Sequence, residues 1–177
     1  MAESLADTLM ALLNVSPLWR VRRNHGLEHA TLHILGRRFP HTGFGGFSDL
    51  RGFWIVGDVS ADDLQSAVDE ALQRLCNGEE NLALHPNCGT NFAAAGLLAG
   101  FAAFLGMMGS GRRFRDKLER LPLVVTLATL ALIIAQPLGM LLQQRVTTSG
   151  RPESLEVVNI ASSRFGRAWL HRVITEG

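Results

Sequence analysis

NHGLEHATLHILGR, Asn24 to Arg37, carries His25, Glu28 and His29 in the pattern H-x-x-E-H on a segment with helical periodicity. Residues three and four apart share one face of a helix, so two imidazoles and a carboxylate project to the same side. A protein presents such groups to one metal ion in this way. Leu27, Ala30, Leu32, Ile34 and Leu35 supply an apolar side for packing, while His25, His29 and His33 form the opposite stripe. A helix over residues 25–36 is expected, with Gly36 as its stop.

Upstream, SLADTLMALL at residues 4–13 reads as a short amphipathic helix with Glu3 and Asp7 near its start, ended by Pro17. Trp19 beside Arg20, Arg22 and Arg23 suits either a chain resting on a cytoplasmic membrane surface or a solvated linker. No cleavable signal peptide is visible, because early acids interrupt the apolar run.

Downstream, the Gly- and Phe-rich FPHTGFGGFSDLRG predicts a hairpin or an ordered lid. It lacks the third glycine and the strand-to-helix setting of a dinucleotide fingerprint. GFWIVGDV, residues 52–59, is aromatic and β-branched, hence a strand. Ser60 and Asp63 have capping-box spacing before an apolar face of Leu64, Ala67, Val68, Ala71, Leu72 and Leu75, and Gly78 follows the last turn. Cys76 at the end of this helix reads as a small buried hydrophobe. Residues 81–85 are expected to form a second strand, parallel to the first through a right-handed crossover.

HPNCGTN, residues 85–91, is a tight turn that points His85 and Cys88 to one place, with Thr90 or Asn91 capping the next helix. Phe92–Met108 carries no charge and holds Gly96 and Gly100 in G-x-x-x-G spacing; Leu121–Leu142 is a second uncharged run, with Pro137 as a kink site. Joined by GSGRRFRDKLER, they predict a transmembrane hairpin. TTSGRPES reads as a surface linker, and LEVVNIA and AWLHRVIT as strands that join the sheet, with His171 packed or exposed rather than a ligand.

The expected fold is therefore an α+β membrane protein, a small mixed sheet with helices interrupted by a two-helix transmembrane hairpin. Its parts are an amphipathic segment at 1–23, a motif-bearing α/β part at 24–91, the hairpin at 92–142 (spans 92–109 and 121–142) and C-terminal strands at 143–177. The apolar content of 47% is concentrated in the hairpin, and a net charge of +1 without a basic–aromatic run excludes nucleic acid as a partner. Two cysteines are too few for a disulfide framework and fit a reducing compartment. The basic link would by itself sit in the cytoplasm. The long preceding stretch without an export signal and the two cysteines favour instead a cytoplasmic soluble part of an inner or plasma membrane protein.

Zinc accepts imidazole and thiolate together, and a catalytic site uses three protein ligands with the fourth position left to water. His25 and His29 with Cys88 or His85 would supply that set, leaving Glu28 as general base on a metal-bound water. All four ligands together would make a closed, structural site. The expectation is a membrane-anchored zinc-dependent hydrolase acting on a peptide or lipid-linked substrate at the membrane lipid surface. The alternative is a non-catalytic scaffold or sensor in which the metal joins the His helix to the juxtamembrane turn.

HGLEHATLHIL paired with HPNCGTN and followed by membrane segments resembles an uncharacterised family of bacterial membrane proteins of unknown function, over most of the chain including GFSDLRGFWIVGDV. Through the H-G-x-E-H and H-P-x-C-G-T signatures it is also similar to the YqhQ-like predicted metal-dependent membrane enzymes, whose membrane portion is larger. What the resemblance implies is a metal site made by His25, Glu28, His29, His85 and Cys88. H-x-x-E-H is shared with inverted zinc peptidases, which add a downstream acid. Glu79 and Glu80 are at hand for that part, but no matching ligand helix accompanies them.

Overall fold

The computed structural model describes residues 17–166 and 168–177, and the expected amphipathic helix at 4–13 lies outside them. The chain divides into two compact units, one of the residues through His85 together with Gln144–Gly177, the other Pro86–Gln143.

In the first unit, helix α1 runs Leu18–Arg38, strands β1 (Gly45–Asp49) and β2 (Gly52–Gly57) form a hairpin, and helix α2 spans Ala61–Cys76. A 3-10 turn at Glu80–Ala83 follows, and strands β3 (Glu156–Phe165) and β4 (Ala168–Glu176) return at the C-terminal end. The four strands make one sheet in the order β1-β2-β4-β3, antiparallel at every pairing. α1 packs on α2, β1 and β2, and α2 also touches β3.

α1 is longer than its periodicity suggested. It starts directly after Pro17, so Trp19 and the arginines are helical, and Arg23 stacks on Trp19 at 4.2 Å. Gly36 does not stop it. The helix ends before Phe39, where Pro40 disfavours a further helical residue. α2 begins as expected: the Ser60 hydroxyl accepts the Asp63 N–H at 3.1 Å and donates to the Asp63 carboxylate at 2.6 Å. At its end Gly78 takes φ +90°, with the Glu79 N–H on the Arg74 carbonyl and the Gly78 N–H on that of Leu75. This is the αL closure that glycine permits.

Phe53 and Ile55 from β2 and Val173 from β4 meet Leu27, Ala30, Ile34 and Leu35 of α1 and Leu64, Ala67, Val68 and Leu75 of α2 in one core. Each of the large side chains contributes about 1.5–3 kcal/mol on burial. The intervening residues Trp54 and Arg172 face the other way, where Phe47 stacks on Trp54 at 6.0 Å and the Arg172 guanidinium lies 5.0 Å over the same indole.

Four expectations are corrected by the structure. Residues 81–85 form no strand; Leu82 and Ala83 are adjacent apolar residues without alternation, and they bury under α1 through the 3-10 turn. The place beside β2 belongs to β4, which arrives from more than a hundred residues away, so the sheet is antiparallel rather than mixed and has no parallel crossover. Cys76 is exposed, and the supposed surface linker is partly internal, with Thr148 buried.

In the second unit, helices α3 (Gly89–Met107) and α4 (Phe114–Leu142) pack antiparallel, since Gly106 meets Val124 and Leu127 while Gly139 meets Asn91. Both are long and apolar enough to cross a membrane, and only 11% and 6% of their apolar windows are buried. A core helix would hide far more. Gly96 and Gly100, expected at the helix contact, have open space around them; Gly106 and Gly139 make the close approaches. α4 also starts earlier than its uncharged run, because the Asp116 carboxylate accepts the Arg113 N–H at 3.2 Å and caps the charged first turns. A π-helical turn at Gln143–Thr147 follows α4.

Candidate metal centre

His25, His29 and His33 stand one turn apart along α1, and the turn after Ala83 brings His85 to them. Ring centroids are 4.3 Å apart for His25 and His29, 5.6 Å for His29 and His85, and 4.8 Å for His33 and His85. His25 and His29 each bring a ring nitrogen within 4.8 Å of the other's.

Backbone carbonyls orient these rings. His25 Nδ1–H donates to the Thr147 carbonyl at 3.0 Å, and His29 Nδ1–H to that of Ala83 at 2.7 Å. A carbonyl only accepts, so each bond places the proton on Nδ1 and the lone pair of the neutral ring on Nε2. His33 has the opposite tautomer, with Nε2–H donating to the Leu84 carbonyl at 2.8 Å. Burial, then the neighbouring His33 and His29, push the His85 imidazole down to about 4, so it is neutral at physiological pH. Neutral imidazoles with carbonyl-fixed tautomers are the form in which histidine binds metal.

The glycine of H-G-x-E-H has a packing reason. A Cβ on Gly26 would stand 2.0 Å from the Ser149 carbonyl oxygen, and the Ser149 N–H bonds the Arg22 carbonyl at 2.9 Å. This close approach is what lets Thr147 reach His25. Glu28 is buried and receives the Ser48 hydroxyl. Its carboxylate lies over Gly46, where a Cβ would come within 2.7 Å of Oε1. The hairpin β1–β2 thus accommodates the carboxylate, and α1 is tied to it by Asn24, whose amide donates to the Asp49 carbonyl at 2.8 Å and accepts from Thr175 at 2.7 Å.

Of the expected site residues, His25, Glu28, His29 and His85 belong to the first unit, and the three histidines gather there. Cys88 belongs to the second, where it is the N-cap of α3: its sulfur accepts the Thr90 N–H at 3.4 Å, the place foreseen for Thr90 or Asn91. The start of a helix favours negative charge. Asn91 instead braces the turn, donating to the Pro86 carbonyl at 2.7 Å and accepting from Gln143 at 2.6 Å. His33 and Ser48 were not singled out as site residues; the H-x-x-x-H-x-x-x-H spacing could have pointed to the first, whereas nothing local points to the second. Glu79 and Glu80 pair with Arg74 and Arg151. His171 is buried, donating Nε2–H to the Val59 carbonyl at 3.2 Å and accepting from Ser162 at 2.7 Å.

The family described as "Domain of unknown function (DUF6391)" matches residues 20–160, a span holding all of these histidines but His171, with Glu28 and Cys88. An uncharacterised protein of Picosynechococcus sp. is 38% identical to the chain, over 81% of the chain and 75% of that protein. No solved structure matches. The chain belongs to this family of unknown function.

Proposed function

We propose that the protein is a membrane-anchored, zinc-dependent hydrolase whose site stands at the membrane surface, held by His25 and His29 with Cys88 or His85. The observation that carries this reading is the pair of carbonyl-fixed tautomers that present Nε2 of His25 and His29 at adjacent positions on α1. Cys88 follows His85 by three residues, so the chain keeps the two Cα atoms within about 11 Å. A zinc ion in this donor set would supply a Lewis acid that makes a bound water more acidic.

Glu28 is the group that accepts the water's proton on its carboxylate. Ser48 holds that carboxylate by its hydroxyl, and the bare Cα of Gly46 leaves it room. The water oxygen would bond to the electrophilic atom of a peptide or lipid-linked substrate, the bond from that atom to the leaving group would break, and the proton held on Glu28 would pass to the leaving group. A cytoplasmic location of the first unit agrees with a chain that holds only two cysteines, too few for a disulfide framework. Exposed Cys76 tests it, because an impermeant maleimide should label inverted vesicles and not intact cells, with Cys76→Ser as the blank.

A structural metal is the second reading, favoured by the way the histidines also staple α1 to residues 83, 84 and 147. Elemental analysis of detergent-purified protein should give about one zinc per chain, lost in the His25→Ala/His29→Ala variant; equal metal in both would refute either reading. Cobalt substitution separates them. A site with a position open to water changes its visible spectrum with a midpoint near pH 7, displaced in Glu28→Gln, whereas a closed four-ligand site gives a spectrum independent of pH and of Glu28.

A further inference from the structure

We infer that the closed end of the hairpin, residues 112–121, is a docking surface for the anionic phospholipid headgroups of the leaflet it meets; this rests on the membrane reading above. The segment has five cations, Arg112, Arg113, Arg115, Lys117 and Arg120, against two carboxylates. Both acids are engaged locally. Asp116 caps α4 through the Arg113 N–H, and Glu119 pairs with Arg115 at 3.2 Å. Among the described residues, no salt bridge occupies Arg112, Arg113, Lys117 or Arg120.

Beside the charges runs an apolar stripe. Phe114, Leu118 and Leu121 fall at i, i+4 and i+7 on the first turns of α4 and are 76%, 46% and 43% exposed. Lys117 and Arg115 flank that stripe, and Asp116, Glu119 and Arg120 take the opposite face. The stripe continues on the same face into the exposed apolar side chains Val125 and Leu132, four and eleven residues after Leu121. An acidic protein partner would satisfy the charges without requiring that continuity. A bilayer meets both requirements, because hydrocarbon takes the uncharged run and headgroup phosphates lie where the arginines and the lysine begin.

The test uses the full chain reconstituted into phosphatidylcholine bilayers that contain trace spin-labelled phosphatidylglycerol or phosphatidylcholine. The motionally restricted fraction of each label measures its association with the protein. Wild type should select phosphatidylglycerol by about tenfold at low salt, and Arg112→Gln/Arg113→Gln/Lys117→Gln should bring the ratio close to unity. High salt should lower the wild-type ratio in the same direction. Equal association of the two lipids with wild type, or a preference that survives in the variant, would overturn the proposal and leave an acidic protein as the occupant. Absence of any restricted component with either label would overturn the membrane reading as well, and the two failures are thereby distinct.

Discussion

The two units of this chain treat their surfaces in opposite ways. In the first, polar groups go inside: Asn24, Glu28, His29, Thr31, His171 and Thr175 are all buried. In the second, apolar groups stay outside: Phe92, Leu97, Phe101, Phe104 and Ile133 are all more than half exposed. A buried polar group without a partner costs about 1–3 kcal/mol, so those of the first unit are held by carbonyls, hydroxyls and a neighbouring strand. Exposed leucine and phenylalanine in such number are stable only against another apolar phase. The difference teaches that solvent, as much as chain pattern, defines which residue type belongs on a surface.

The sharpest way to break this contrast is core truncation. Leu35→Ala should cost about 2–5 kcal/mol in a denaturation experiment on detergent-purified protein, because Leu35 is fully buried. Leu97→Ala, at a position 76% exposed, should be near neutral in the same detergent. Equal losses would mean that Leu97 is packed and that the second unit has a core of its own.

Next in size is the helix contact. Gly139→Leu should destabilise α3–α4 packing by about 1–3 kcal/mol, because a Cβ there would lie 2.5 Å from the Asn91 amide oxygen. Gly96→Leu meets open space and should be silent in a thermal melt. A larger effect at Gly96 would show that its open face is occupied.

The histidine cluster predicts a pH effect in the first unit. The depressed folded-state value of His85 means that the unfolded chain binds the additional proton, so this contribution is complete above pH 6.5 and is lost as pH falls towards about 4. In chelator-treated protein, the drop in melting temperature between these limits should shrink in His85→Asn. An unchanged profile would assign the loss to other groups.

The smallest effect is expected at Asp49. Burial works against its charged form, but hydrogen bonds from Arg172 and the Arg51 N–H, with the charge of Arg172, hold its carboxyl below the usual range. Stability from this pair is present above the ordinary carboxylate value and is lost as pH falls through the lowered one. Because Asp49 is 43% exposed, Arg172→Met should remove less than about 1 kcal/mol of that acid sensitivity, measured by urea titration from pH 5 down to pH 3. No change would make the contact purely geometric.

Much of this was legible locally. The α2 helix announces itself through Ser60, its apolar period and Gly78, and the hairpin through two uncharged runs. The pattern of His25, Glu28 and His29 is a property of helix geometry, so it needed no tertiary knowledge. Residues 81–85 misled because Leu82 and Ala83 resemble a short strand until α1 lies over them. Ser48 and Thr147 carried no signal, since each matters only through the distant residue that it meets, Glu28 and His25.

By itself, the sequence determined the helices around His25–Gly36 and Leu64–Leu75, the strands β2, β3 and β4, the shared face of the α1 histidines and the two helices capable of crossing a membrane, because these follow from short-range periodicity and capping chemistry. Only the tertiary structure decided the strand order β1-β2-β4-β3, the tautomers of His25 and His29, the placing of Glu28 over Gly46 and which glycines touch a neighbouring helix. Each of these depends on a partner far along the chain, and local pattern specifies no such partner.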